Sequence, residues 1–159
     1  MDVTFREINF ENKKDNETAV LLLNEFMNRR DTLSSSSEIN ISIIEKIKSL
    51  GFSKIYLCEH LSNIIGIAVC FRGFSTFKQK ELLNIHDFYI RKDFQGKGIG
   101  KRFLKYIESE CLRNNFCRVT LEVYSDNINA IKLYRKSGFI GNADSENNCL
   151  ICAMKKDLN

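Results

Sequence analysis

Apolar residues recur along the chain with two different periods, and the switch between them predicts the order of helices and strands. Residues 3–8 alternate apolar and polar positions, which is typical of a strand. Residues 16–31 carry apolar side chains at helical spacing. A second helix is predicted from Ile41 to the terminating Gly51. The first third of the chain is therefore a strand followed by two helices.

Strands dominate the middle of the chain. Residues 54–59 and 64–74 are predicted strands, and the short connection between them suits a hairpin. Residues 81–91 form a third strand, rich in leucine, isoleucine and aromatic residues. A glycine-rich turn at 96–100 then leads into an amphipathic helix that ends near Asn114.

The last third of the chain predicts a strand at 117–123, a helix at 127–136 and a closing strand at 150–154. The strand–helix–strand unit across 81–123 requires a parallel pair of strands with a right-handed crossover. We therefore expect a single α/β (α+β) domain over residues 1–159. Its mixed sheet would have about six to seven strands, with helices on both faces.

Composition and charge narrow the class of protein. The 159 residues are 43% hydrophobic and 28% charged, which is typical of a soluble globular chain. The longest apolar stretch, Ile64 to Phe71, is too short to cross a bilayer. The N-terminus lacks a basic segment followed by an apolar core, so we expect a cytoplasmic protein without a membrane partner. The net charge of +4 excludes a polycationic nucleic-acid coat.

Six cysteines raise the question of disulfide, metal or redox chemistry. Only Cys149 and Cys152 form a Cys-x-x-Cys pair, and neither a second pair nor a nearby histidine completes a zinc site. The others fall inside apolar stretches, where a thiol behaves as a small hydrophobic side chain: Cys58, Cys70, Cys111 and Cys117. We therefore expect buried free thiols and no metal.

The glycine-rich turn after the third predicted strand is the most informative segment. Free amides at a helix N-terminus favour an anion such as a phosphate, and glycines let the backbone approach it closely. Residues 91–105 have a net charge of +5, which exceeds that of the whole chain. The spacing fits neither the dinucleotide fingerprint, nor a P-loop, nor a Gly-x-x-Gly loop of the KH type. A tight turn with solvated lysines is the alternative that the turn alone leaves open.

Two motifs, taken together, resemble those of one enzyme family. Gln95-x-x-Gly98-x-Gly100, directly after a strand, resembles the acetyl-CoA pyrophosphate motif of the GNAT superfamily of N-acetyltransferases. A second segment at the expected separation resembles the other signature of that family: Asn127-x-x-Ala130-x-x-x-Tyr134-x-x-x-Gly138-Phe139. The resemblance implies the GNAT fold and transfer of an acetyl group from acetyl-CoA to an amine within a ternary complex.

The resemblance also implies how the cofactor is held. The backbone at the end of strand 81–91 would bind the pantetheine and the acetyl carbonyl, and the amide of Ile90 would face the oxygen that gains charge. The amides of 95–101 would hold the pyrophosphate, Asn127 would bond the pantetheine, and Ala130 would leave room for it. The residues implied at acetyl-CoA are Phe88, Tyr89, Ile90, Gln95, Gly96, Lys97, Gly98, Ile99, Gly100, Lys101, Asn127 and Ala130. Candidates for the ribose phosphate are Arg91, Lys92, Lys97, Lys101 and Arg102.

Two residues match catalytic positions of the family. Tyr134 would protonate the departing thiolate; from spacing alone, a tyrosine packed in the core remains an alternative. Asp87 precedes a Phe-Tyr-Ile segment that resembles diamine N-acetyltransferases. Three roles are open for it: relaying a proton from the amine, anchoring a cation, or forming an ion pair at the surface. We expect His86 on the opposite face of a regular strand.

The acceptor cannot be named from the sequence, and several kinds remain open. The resemblance places the acceptor pocket near residues 29–40, with these candidates: Arg29, Arg30, Asp31, Phe74 and Phe77. A small-molecule amine such as a polyamine is the leading acceptor, and a peptide N-terminus or lysine is the second. A catalytically silent acyl-CoA-binding module is a third possibility. A nucleic-acid-binding domain is disfavoured because an aromatic stacking motif is missing. Homodimers are frequent in the family.

Overall fold

A computed structural model describes residues 1–28, 40–141 and 150–158 of the chain. In these ranges the strands form one seven-stranded sheet in the order β1-β2-β3-β4-β5-β7-β6. The strands are β1 (Thr4–Glu7), β2 (Ser53–His60), β3 (Asn63–Ser75), β4 (Lys80–Ile90), β5 (Arg118–Tyr124), β6 (Ile140–Gly141) and β7 (Ile151–Asp157). The helices are α1 (Lys13–Met27), α2 (Ser42–Ser49), α3 (Ile99–Arg113) and α4 (Ile128–Lys136).

The sheet is mixed, as the sequence predicts. β4 and β5 pair in parallel across the α3 crossover, and the other neighbouring strands pair antiparallel. The β2–β3 hairpin turns in two residues, Leu61 and Ser62, both with positive φ. This conformation suits the twist of a two-residue hairpin even though neither residue is glycine.

Helices cover both faces of the sheet, which confirms the predicted layering. On one side, here called the α1 face, α1 and α2 pack against β2 and β3 through residues such as Leu22, Ile44 and Ile67. On the other side, the α3 face, α3 and α4 pack against the sheet through Phe103 and Ile107, among others. Within the described ranges, the core on the α1 face contains no residue of β5, β6 or β7. This core therefore extends across the sheet only as far as β4.

β4 is not a regular strand. Asp87 pairs with Val69 while Ile85 pairs with Cys70, so His86 is an extra residue without a partner on β3. Ile85 belongs to the core on the α3 face, whereas the partner of Asp87, Val69, belongs to the core on the α1 face. Compared with a regular strand, the bulge therefore places every side chain after His86 on the opposite face of the sheet.

Several boundaries differ from the sequence predictions for local reasons. α1 begins at Lys13 rather than at 16, because Asn12 caps the helix by accepting from the amides of Lys14 and Asp15. β7 continues to Asp157, where it pairs with β5. A turn of 3₁₀ helix at Lys92–Phe94 and the two-residue β6 were not predicted. Both elements are too short to show a repeating pattern of apolar residues.

The described cysteines are buried and free, as expected: Cys58, Cys70, Cys111, Cys117 and Cys152. Burial raises the pKa of the Cys58 and Cys111 thiols to about 12 in each case. Cys149 lies outside the described residues. None of the helices in the described ranges is long and apolar enough to cross a membrane.

Candidate active site

The candidate site centres on a gap in the sheet between β4 and β5. The parallel pairing of these strands consists of Leu83–Val119, Asn84–Thr120 and Ile85–Leu121 and goes no further. β4 continues for five residues beyond the last of these pairs. The edge of β4 that faces β5 is therefore open from His86 to Ile90.

The backbone of Ile90 is oriented toward this gap. The amide of the next residue, Arg91, donates to the carbonyl of Ile65 on β3 at 2.9 Å. Because consecutive amides of an extended strand point in opposite directions, the amide and carbonyl of Ile90 point away from β3. The carbonyl accepts a 2.6 Å hydrogen bond from the side-chain amide of Gln95. The Ile90 amide is left facing the gap, where it can donate to a carbonyl oxygen that gains negative charge.

The turn between β4 and α3 presents a row of unused backbone donors. Within the described chain the amides of residues 96–101 donate no hydrogen bond. The amide of Gln95 is already bonded to the carbonyl of Lys92 at 3.1 Å, so the predicted phosphate-binding set narrows to six amides. Three of the six belong to the first turn of α3, where the helix dipole favours an anion.

Glycines 96 and 98 shape the turn, and Gly100 has another role. Gly96 and Gly98 have φ of 73° and 76°, and a Cβ added to either would meet nothing within 4 Å. A Cβ on Gly100 would lie 3.1 Å from Leu133 of α4. The first two therefore keep the surface of free amides open, while Gly100 lets α3 and α4 approach each other.

Two of the basic residues predicted at the ribose phosphate are engaged elsewhere. Arg91 is paired with Glu25 of α1, with its closest nitrogen–oxygen distance at 2.8 Å. Arg102 donates to the backbone carbonyls of Met1 and Val3 at 2.9 and 3.3 Å. Three predicted cations make no ion pair within the described ranges and keep their charge available: Lys92, Lys97 and Lys101.

Helix α4 brings three predicted residues to the α3 face beside β4. Asn127 caps the helix, and its side-chain oxygen accepts from the amide of Ala130 at 3.3 Å. Its side-chain NH₂ makes no hydrogen bond to the described residues and remains available as a donor. Tyr134 is 6% exposed, and its ring lies 6.3 Å from that of Phe88 and 5.8 Å from that of Phe139.

Burial makes Tyr134 a weaker acid than an exposed tyrosine. Burial raises the pKa of the phenol well above its ordinary value of about 10. The hydroxyl is protonated at neutral pH, as a proton donor must be, and the shift keeps it protonated in alkali as well.

The bulge in β4 places His86 and Asp87 on the same face, contrary to the prediction from a regular strand. The His86 ring lies 5.5 Å from Phe71, which packs against the core on the α1 face. Asp87 lies on that face too, opposite Val69. Burial raises the pKa of the Asp87 carboxyl, and the neighbouring His86 opposes this shift. Asp87 makes no hydrogen bond or ion pair to the described residues, so the predicted surface ion pair is absent there.

Two other predicted acceptor residues, Phe74 and Phe77, lie away from the gap. Phe74 and Phe77 lie near the β3–β4 turn and are 61% and 96% exposed, at the end of β4 opposite Ile90. Arg29, Arg30 and Asp31 lie outside the described residues.

Sequence reasoning missed the polar face of β5. Asn84 donates to Thr120 at 3.1 Å across β4 and β5, and Glu122 follows two residues later on the same face. Strand 117–123 is apolar at every second position, so the signal was available in its polar alternation. That signal does not tell whether the polar face lines a cavity.

Comparison with protein families gives one match over this region. A model of the acetyltransferase (GNAT) family matches residues 22–139. The matched range contains β4, the glycine-rich turn and α4.

Two similar curated proteins come from Bacillus subtilis. A probable spermine N(1)-acetyltransferase of subspecies natto (strain BEST195) is 27% identical over 137 residues, covering 84% of this chain and 88% of that protein. The spermine/spermidine N(1)-acetyltransferase of strain 168 is 26% identical over 137 residues with the same coverage. The similarity therefore extends over most of both chains.

Solved structures show the same fold. The structure of yncA from Salmonella typhimurium with its cofactor acetyl-CoA superposes with a TM-score of 0.74. It is 18% identical in sequence, and the match covers 99% of this chain and 94% of that one. At this identity the likeness concerns the architecture of the sheet and helices.

Proposed function

The chain belongs to the GNAT family of acetyltransferases, and we propose on this premise that its acceptor is a primary amine of a small molecule, with polyamines as the class. It is an acetyl-CoA-dependent N-acetyltransferase. The Bacillus relatives act on spermine or spermidine by their names, which supports a polycationic acceptor here.

The observation that carries the proposal is the state of Asp87. Its carboxylate lies at the open edge of β4, partly buried and without a partner among the described residues. A carboxylate that has lost hydration without gaining a counter-ion is unfavourable until a cation arrives. An ammonium group that enters beside the gap supplies that cation.

Different residues of the chain bind different parts of acetyl-CoA. The six amides of 96–101 hold the pyrophosphate, the lysines at 92, 97 and 101 offer cations to the ribose phosphate, and the NH₂ of Asn127 bonds the pantetheine. The amide of Ile90 donates to the carbonyl oxygen and stabilises the negative charge that develops on it during attack. Bound acetyl-CoA supplies an activated acetyl group as a thioester.

Three protons must move for the transfer to be complete. The ammonium of the acceptor loses one proton to Asp87, directly or through a water, because only the neutral amine carries a lone pair for attack. The raised pKa of Asp87 makes it a better base than an exposed aspartate. As the new C–N bond forms and the C–S bond breaks, Tyr134 gives its phenolic proton to the departing sulfur. The attacking nitrogen, which is cationic after the C–N bond forms, loses its second proton to solvent as the amide forms. Solvent then removes the proton from Asp87 and returns one to Tyr134.

The layout of the site supports direct transfer in a ternary complex. The diphosphate-binding turn leads into α3, on the α3 face of the sheet, and Asp87 lies on the α1 face. The two reactants would meet in the gap from opposite faces. A covalent enzyme intermediate on cysteine is disfavoured, because burial raises the pKa of Cys58, Cys70 and Cys111 and keeps these thiols protonated.

A panel of acceptors tests the function. Release of the free thiol of CoA is measured with spermine, spermidine, putrescine, n-butylamine, an aminoglycoside and a peptide with a free N-terminus. We expect kcat/KM for the polyamines to exceed that for the peptide by at least about tenfold, which corresponds to one productive charge interaction. Preference for the peptide would contradict the proposal, as would thiol release that no amine accelerates.

A further inference from the structure

A second concave site lies on the α1 face, on the part of the sheet that α1 and α2 leave uncovered. It is a cavity of about 330 Å³ between β4, β5, β6 and β7. Its polar lining comes from Asn84, Thr120, Glu122 and Lys155. The volume falls at the lower end of the range for small-molecule sites.

The cavity continues the row of polar residues along β4. Asn84 forms part of its wall, and His86 and Asp87 follow on the same face toward the gap. Extending the parallel register of β4 and β5 by one position places Glu122 at the level of His86, on the other side of the gap. At the rise of a strand, roughly 3.3 Å per residue, this level is about 13 Å from Ile90. The cavity is thus within reach of an extended molecule whose reactive end lies at the gap.

Among the described residues, the charged ones that line the cavity are Glu122 and Lys155. Glu122 is exposed and makes no hydrogen bond or ion pair within the described ranges. Lys155 is likewise exposed and pairs through its backbone with Thr120, which places it farther from the gap than Glu122. The two charges are not joined in a salt bridge, so each acts separately on a ligand.

We propose that this cavity is the subsite for the second ammonium group of the acceptor and that Glu122 is the residue that selects amines carrying one. The proposal rests on the proposed function and deepens it. Glu122 accepts a charge-assisted hydrogen bond from the second ammonium while the first lies at Asp87. Lys155 repels a cation that extends past Glu122, so the pair of opposite charges also favours a particular spacing between nitrogens.

The test uses the full chain and compares an acceptor with two ammonium groups, putrescine, with the monoamine n-butylamine. Glu122→Gln removes the charge with little change of shape. We expect KM for putrescine to rise about tenfold, as for the loss of one charge-assisted interaction, and kcat to change by less than about twofold. KM for n-butylamine should change by less than about twofold, since it lacks the second ammonium. Glu122→Asp should restore most of the putrescine affinity.

Lys155→Gln should change KM in the opposite direction from Glu122→Gln. Removing this cation should lower KM for spermine by about threefold, because it ends the repulsion of a third or fourth ammonium. A purely structural disturbance of the cavity would raise KM in both variants and for both kinds of acceptor. Glu17→Gln on α1, which removes an exposed carboxylate paired with Lys13, should leave every constant unchanged.

The possible failures are distinguishable. If the wild-type protein acetylates putrescine and spermine but Glu122→Gln leaves KM for putrescine unchanged, the subsite is wrong and the proposed function stands. An equal rise for putrescine and n-butylamine also overturns the subsite. If the wild-type protein acetylates no polyamine, the proposed function fails and the subsite with it.

Discussion

The carboxylate of Asp87 is the candidate base for the reaction, and it lowers the free energy of unfolding at neutral pH. Its carboxyl is partly buried, and burial raises its pKa against the opposing effect of His86. The folded state therefore binds the carboxyl proton more tightly than the unfolded chain does. By linkage, the ionised carboxylate destabilises the fold at neutral pH, and this loss vanishes below the unfolded pKa of about 3.9.

Asp87→Asn should separate stability from activity. At pH 7 we expect the variant to be more stable by about 1 kcal/mol, or roughly 3 °C in Tm, because it removes a desolvated charge. The gain should shrink as the pH falls through the raised pKa toward 3.9. Turnover of a polyamine should fall and recover partly at high pH, where more of the amine is neutral. Thermal denaturation and steady-state kinetics across pH check both effects. An unchanged or lower Tm at pH 7 would show that Asp87 has a stabilising partner.

Tyr134→Phe should lower kcat by about 10²-fold or more and leave KM for acetyl-CoA within about twofold, because only the transition state needs the phenolic proton. Tyr56→Phe is the matched control, since Tyr56 is also buried on the α3 face but lies on β2, two strands away from β4. Stopped-flow detection of thiol release isolates the chemical step. Wild-type turnover with chemistry rate-limiting would remove Tyr134 from the mechanism.

The sequence predicted the positions of those candidate site residues whose placement depends on local spacing. Amides 96–101 and the face of α4 with Asn127 and Tyr134 follow from a turn and from a helical period. The side of His86 could not be predicted, because a bulge depends on the partner strand and reverses every later side chain. The roles of Arg102 and Glu122 depend on what distant segments place beside them.

At the scale of elements, two glycines at the junction of β4 and α3 have different structural roles. Gly98 ends the turn in a left-handed conformation with open space around its Cα, and Gly100 lies against Leu133 of α4. The same Gly→Val substitution should therefore weaken cofactor binding at one position and helix packing at the other.

Gly98→Val should lower acetyl-CoA affinity at least tenfold in calorimetry, because the side chain enters the surface of free amides. The left-handed φ also costs about 1–2 kcal/mol of stability. Gly51→Val is the matched control: Gly51 has φ of 71°, and a Cβ added there meets nothing within 4 Å, so the strain is similar far from the turn. Gly100→Val should mainly lower Tm, since its Cβ contacts Leu133 at 3.1 Å. Equal cofactor affinity in the Gly98 and Gly51 variants would contradict the assignment.

At the scale of the whole molecule, the order of the elements was predictable, but the order of strands in the sheet was not. The alternation between strand and helix periods of apolar residues predicted the strand–helix–strand unit and its parallel pair of strands. The position of β7 between β5 and β6 depends on pairing between distant segments, which no local pattern encodes.

One ion network ties the N-terminal segment to the rest of the fold. Arg6 of β1 contacts Asp15 of α1 at 2.6 Å and Glu59 of β2 at 2.5 Å, and the amide of Asn9 also donates to Asp15. Asp15 is 3% exposed, and its hydrogen bond to Arg6 lowers the pKa of the carboxyl. The network therefore stabilises the fold at neutral pH. This contribution is lost as the pH falls through the lowered pKa.

Asp15→Asn should destabilise the protein by about 2 kcal/mol at pH 7, less than for a fully buried pair because Arg6 is partly exposed. The difference from wild type should narrow in acid, where the wild-type carboxyl is protonated too. Urea unfolding at pH 7 and near pH 3 measures it. Asp157→Asn, which breaks the exposed pair with Arg118, should cost less than about 1 kcal/mol. A pH-independent loss at Asp15 would indicate a packing defect.

The gap between β4 and β5 also has a consequence for the lifetime of the protein. An unpaired strand edge is a template on which other chains can add, and here it lies inside the sheet rather than at its border. Bound acetyl-CoA would cover this edge and stabilise the fold by mass action, in proportion to the logarithm of its concentration over Kd. Resistance to aggregation would then rise and fall with the supply of the cosubstrate, so that a starved cell loses enzyme as well as substrate.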